Sequence, residues 1–214
     1  MPGLLCGLAV VMAMQVLGAD THQAGIDMRS QDLLPEHVVQ SLASGDVIFR
    51  RGRDVVSRLV LTADGHSDFS HVGVIVRDRW QINVAHAIPA ESKNELDAVK
   101  MESLDSFLRH EKASVAAVYR VREHESIRAS VIRYVTEAVR NQVLFDADFD
   151  LGDSSRLYCT ELVWQAYRSA GLDLLDGKFD YISVPLKSGW YIFPSSLTHS
   201  RHLLEIYTSR RPTS

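Results

Sequence analysis

The sequence predicts an α+β fold in which an antiparallel sheet packs against helices, and three observations carry that reading. Residues 71–76 (HVGVIV) and 81–88 (QINVAHAI) are β-rich runs flanking a short polar turn, the pattern of a hairpin. Residues 126–142 and 159–170 instead repeat their apolar side chains at helical spacing. The chain has 214 residues, 46% of them hydrophobic, which is enough for one full-sized core and short for two.

The elements follow in order. Residues 20–33 are polar and mixed, a loose lead-in, and residues 35–42 suit a short helix. Ser44-Gly45-Asp46 is a turn before a strand at 47–49. Residues 53–62 read as a helix, with Val55, Val56, Leu59 and Val60 on one face, and 63–67 as a loop around Asp64-Gly65. After the hairpin, residues 99–101 extend the sheet, 103–110 form a short helix and 114–121 another strand. The helix at 126–142 is followed by an Asp-rich loop at 145–156. The helix at 159–170 stops at Gly171, a suitable C-cap, and residues 203–207 form a last strand. One domain is expected over 40–208, after a lead-in at 20–39 and before a tail at 209–214.

Net charge is −4, with 23% charged residues and no long basic run, which argues against a nucleic-acid partner. Residues 3–19 (GLLCGLAVVMAMQVLGA) are apolar and uncharged, end in Gly18 and Ala19, and precede the first charge, Asp20. About 17 residues is the lower limit for a membrane span, and the small-residue end fits a secretory signal cleaved near Ala19. No Lys or Arg precedes the run, so a retained anchor and a core helix stay open. Only two cysteines occur, Cys6 and Cys159, too few for a disulfide scaffold. Signal cleavage removes Cys6 and leaves Cys159 as a lone thiol in an exported protein, periplasmic or at the cell envelope.

That thiol has histidines to work with. A hairpin turning symmetrically about Asp78-Arg79 sets His71 directly opposite His86 on one sheet face, where opposed Cβ atoms lie about 5 Å apart. Cys159 opens a helix whose buried face carries Leu162, Val163, Ala166, Tyr167 and Ala170. Free N–H groups at the helix start stabilise a thiolate, and with a nearby histidine the thiol pKa is expected below 7. Cys159 then serves as nucleophile, a histidine as base and leaving-group acid, and the other histidine as its orienting partner. Glu161 reads as a first-turn acid complementing the helix dipole. Two other readings of the residues stay open: hydrogen-bonded core histidines beside an inert buried thiol, and a metal site of His71, His86 and Cys159 with His66 or Asp68. No G-x-S-x-G occurs, which disfavours a serine hydrolase.

SGDVIF (44–49), FSHVGVIV (69–76), VAHA (84–87), FDADF (145–149) and LYCTELVWQAY (157–167) stand in an order that resembles the circularly permuted papain-like amidases of the NlpC-related superfamily, the YiiX/YaeF-like group. Lecithin:retinol acyltransferase-type enzymes are more distant relatives. The resemblance spans residues 40–200 and places the histidine strand before the cysteine helix, the reverse of ordinary papain-like enzymes. It implies a permuted papain-like fold with Cys159 as nucleophile at a helix N-terminus, His71 as base and His86 at the third, polar position, where the YiiX-like group often has Glu. Tyr158 is implied as an oxyanion-site residue. The expected activity is cysteine-dependent hydrolysis of an amide or ester without a cofactor, on a small-molecule, peptide or lipid substrate of the envelope, with peripheral envelope contact. An acyltransferase of the same fold and a non-catalytic binding protein are the alternatives.

Overall fold

The computed structural model describes residues 33–122, 125–184 and 187–209. The signal-peptide reading, Cys6, most of the lead-in and residues 210–214 lie outside the described residues. In chain order the elements are α1 (Glu36–Ser41), β1 (Val47–Gly52), α2 (Val55–Asp64), β2 (His71–Arg77), β3 (Ile82–Ile88), β4 (Ala98–Ser103), α3 (Leu104–Phe107) and β5 (Ala113–Val121). Then come α4 (Glu125–Arg140), β6 (Leu144–Phe145), β7 (Arg156–Leu157), α5 (Cys159–Ser169), β8 (Asp180–Val184), β9 (Lys187–Tyr191), α6 (Pro194–Thr198) and β10 (Leu203–Thr208).

One sheet runs in the order β10-β5-β1-β2-β3-β4-β6-β7, antiparallel except for the short β6–β7 pair, and β8–β9 form a separate hairpin. Its central strands are apolar on both faces because both faces are covered. On one face Val47, Phe49, Val72, Val74, Ala85 and Ala87 pack with Val131 and Val135 of α4 and with Leu162, Val163, Ala166 and Tyr167 of α5. On the other, Ile48, Ile75, Val84 and Val118 meet Leu34, Val38 and Leu42 around α1 and Phe107 and Leu108 around α3. The packed unit therefore reaches back to Leu34, six residues before the boundary read from the sequence.

The Ser44–Asp46 turn ties these layers together. Gly45 holds φ +87°, its carbonyl accepts from the Tyr167 hydroxyl of α5, and its amide donates to Ile75 O at 2.8 Å. Asp46 is fully buried and takes two bonds of 2.7 Å from the Arg120 guanidinium.

Three expectations are corrected. The β2–β3 register pairs Val74 with Ala85 and Arg77 with Ile82, two residues from the symmetric hairpin. Asp78 causes the shift: its carboxylate accepts from the amides of Trp80 and Gln81, at 2.7 and 2.8 Å, so 78–81 all belong to the turn. Second, α2 starts at Val55 because Asp54 caps it through Ser57 N at 2.8 Å, and its apolar stripe faces outward, with Val55 69% and Leu59 65% exposed. Third, β6, β7, the β8–β9 hairpin and α6 were not expected; the two-residue strands are too short to show a period, and Pro194 opens α6 at N1.

Candidate active site

His71 is the first residue of β2 and Cys159 the first of α5, so both stand at one end of the sheet, where they line a cavity of about 420 Å³. Its walls include Arg50, Lys112, Ala87 and Phe149. A two-residue slip keeps every side chain on its face, so the two histidines still share one. Continuing the observed register sets His86 against Gly73, whose missing side chain leaves room for the imidazoles to meet. A Cβ there would lie 3.2 Å from His86 Cβ and 2.5 Å from Val84 Cγ1. His71 Nε2 and His86 Nδ1 are 2.7 Å apart, and Phe107 packs against both rings.

His86 Nε2 lies 3.0 Å from Glu102 Oε1 of β4. The approach is short but poorly aligned for a hydrogen bond, so its electrostatic part is the firmer one. Burial pushes the Glu102 carboxyl up, but His86, Ser106 Oγ at 2.6 Å and Lys112 Nζ at 3.0 Å outweigh it and hold the carboxyl well below the usual range. Burial, with Arg50 adding to it, lowers His86 to about 4 against the pull of Glu102, and lowers His71 well below 6.5. Both imidazoles are neutral at pH 7. An ionised Glu102 then fixes the tautomers: His86 keeps its proton on Nε2, His71 on Nε2, and His71 Nδ1 is left as a free base.

Cys159 departs from expectation. The amides of Val72, Thr160 and Cys159 itself and the charge of Arg50 all favour its thiolate. The residue is half-buried by area, yet the protein encloses the sulfur closely enough that burial wins and pushes the thiol up to about 11. The resting pair is a neutral thiol beside a neutral imidazole, not the low-pKa thiolate expected from the helix start. Tyr158 is also corrected. Its hydroxyl accepts from Ile192 N at 3.0 Å, its ring packs on Phe149, and it is absent from the cavity lining. It serves as a packed N-cap residue.

Two charged residues escaped the sequence reading. Glu102 lies on a strand read as only 99–101, one residue beyond its edge. Arg50 continues the strand read as 47–49; it pairs with His71, donates to Phe107 O at 2.7 Å and lies 4.5 Å over that ring. Alternating apolar phase carried across the charged residues would have found both. Glu161 is fully buried and, with no well-formed hydrogen bond to either carboxyl oxygen, is not a solvated dipole partner.

Residues 41–207 match the family described as permuted papain-like amidase enzyme, YaeF/YiiX, C92. The chain belongs to this family. Among curated relatives of the YaeF/YiiX family, the uncharacterized protein YiiX of Escherichia coli K12 is 26% identical over 133 residues, 59% of this chain and 58% of that protein. The alignment thus spans little more than half of that relative. The crystal structure of metalloprotein yiiX from Escherichia coli O157:H7, DUF1105, has a TM-score of 0.64 and 21% identity, covering 79% of this chain and 98% of that one. That likeness is one of fold, and "metalloprotein" describes that protein. Here His71 Nε2 and His86 Nδ1 are turned on one another, and among the described residues no three His, Cys, Asp or Glu side chains are grouped to hold an ion. These residues do not fit a His71–His86–Cys159 metal site.

Proposed function

We propose that this YaeF/YiiX family member is an exported cysteine hydrolase that cleaves an amide or ester of a cell-envelope peptide or lipid, with residues 1–19 acting as its signal peptide. The observation that carries the reading is that His71 and Cys159 line one cavity, with His86 2.7 Å behind His71 and Glu102 3.0 Å behind His86; His71 Nδ1 is then the base. His71 takes the thiol proton as Cys159 Sγ attacks the substrate carbonyl. The S–C bond forms, and the C–N or C–O bond breaks as the leaving group takes that proton from His71. Water, deprotonated by His71, then attacks the thioester, releasing the acid and restoring the thiol. Arg50 and the helix-start amides favour negative charge at the reacting atoms. Because the thiol rests protonated, attack and proton transfer are coupled rather than sequential.

The test is labelling of Cys159 with iodoacetamide across pH, with turnover of a panel of peptide and lipid amides and esters. Labelling that climbs through the alkaline range without a plateau near neutrality is expected, together with turnover that Cys159→Ala abolishes. Turnover retained in Cys159→Ala overturns the reading.

A further inference from the structure

α2 presents Val55, Val56 and Leu59 to solvent at 69%, 43% and 65% exposure, an outlay of apolar surface on one short helix that the core does not use. Beside it runs a groove of about 300 Å³ lined only by Val56, Leu59, Val60, Ala63, Phe149, Ile182, Tyr191 and Phe193. Val56, Val60 and Phe149 also line the Cys159 cavity, so the two spaces share a wall. Phe149 sits at that junction with φ +54°, an uncommon conformation for an aromatic residue. It is held there by the 146–150 turn, in which Asp146 accepts from the amides of Asp148 and Asp150.

From this continuity we propose that the groove binds the aliphatic acyl chain of the substrate, whose carbonyl lies at Cys159. The inference rests on the proposed hydrolase reading and narrows it to acyl donors with a long hydrocarbon tail. A peptide carries an amide donor and acceptor at every residue, and this lining offers almost nothing to receive them; an alkyl chain makes no such demand. The charged groups, Arg50, Asp54, Glu91, Glu111 and Lys112, line the Cys159 cavity and not the groove, so a chain with its polar end at the thiol matches the lining along its length.

The test compares p-nitrophenyl acetate with p-nitrophenyl decanoate, using Cys159→Ala to subtract background. Each methylene fully removed from water is worth up to about fourfold. In a half-open groove, kcat/KM for decanoate is expected to exceed that for acetate by at least tenfold. Leu59→Glu, at an exposed groove position, is expected to lower that ratio several-fold. If acetate is cleaved but the ratio is flat, or Leu59→Glu leaves it unmoved, the acyl groove is wrong while the hydrolase reading stands; a second copy or another segment of the chain then covers the surface. If neither ester is cleaved, the groove is judged by a fluorescent polyene fatty acid titrated into Cys159→Ala. Binding weakened by Leu59→Glu upholds it, and absent or insensitive binding overturns it.

Discussion

At Cys159 two effects compete, and their balance decides what kind of base the site needs. Backbone amides and Arg50 favour the thiolate, enclosure favours the thiol, and enclosure wins. A thiol that rests protonated needs a base at the moment of attack. This gives Glu102 its weight, because an ionised carboxylate at the far end of the series fixes both imidazole protons and compensates the imidazolium formed at His71. Glu102→Gln keeps an acceptor oxygen toward His86 and removes the charge. We expect kcat to fall about a hundredfold, within the usual worth of general-base assistance, with KM little changed. Loss of the negative charge also makes His71 harder to protonate, so the acid limb of the kcat/KM profile moves to lower pH. A merely structural role for Glu102 would lower Tm without moving that limb.

Among the elements, the β2–β3 hairpin shows how a wrong register can leave a right juxtaposition. A shift of two preserves the face, so the pairing of His71 with His86 was legible in the sequence even though their direct opposition was not. What makes the contact possible is Gly73. Gly73→Ala drives a Cβ to 2.9 Å from Ala85 O and against Val84 and His86. It is expected to cost about 2–3 kcal/mol in urea denaturation and to reduce turnover by separating the imidazoles. The other elements divide by how strongly one period marks them. Helices α4 and α5 and strands β2, β3 and β5 repeat apolar residues often enough to be placed within two residues. The apolar stripe of α2 was legible but its outward direction was not, because periodicity identifies a stripe without saying what it meets. Arg50 and Glu102 were missed because charge at a strand end reads as the end of the strand. At the start of α5, Glu161 makes a separate prediction. Burial, with the charge of Asp146 adding to it, raises its carboxyl to about 8, while the Tyr158 amide and Gln165 offset only part of that push. Folding must therefore protonate it, and stability falls as pH rises from 4.5 to about 8. Glu161→Gln removes this slope and is expected to gain on the order of 2 kcal/mol at pH 8 relative to its effect at pH 5, read from urea midpoints.

For the whole molecule, the site has a cost in acid that the fold must carry. His71 and His86 are buried and neutral, with folded pKa values depressed from 6.5, while the unfolded chain protonates both near that value. Between pH 6.5 and about 4 the unfolded state binds more protons than the folded one, so stability falls as pH falls through that window. Glu102 acts lower down: its ionised form stabilises the fold above the unfolded value of 4.5, and that contribution is lost as pH drops toward its depressed folded pKa. The two losses follow one another and do not cancel, while Glu161, whose burial penalises the fold less as pH falls from about 8 to 4.5, offsets part of the histidine loss. His86 is expected to cost about 2 kcal/mol at pH 5 relative to pH 7, and His71 adds a loss of the same sign. Activity behaves differently over the same range, because the free base on His71 stays unprotonated well below pH 6.5, so kcat should hold its plateau while stability declines. Urea denaturation at pH 7, 6 and 5, run in the Glu161→Gln background so that the opposing Glu161 slope is removed, checks this against the added double substitution His71→Leu/His86→Leu, which is expected to be inactive and to lose most of the slope between pH 6.5 and 5. A downward slope toward acid that survives the double substitution in that background would place the acid sensitivity outside His71 and His86 and remove the argument that they are held neutral.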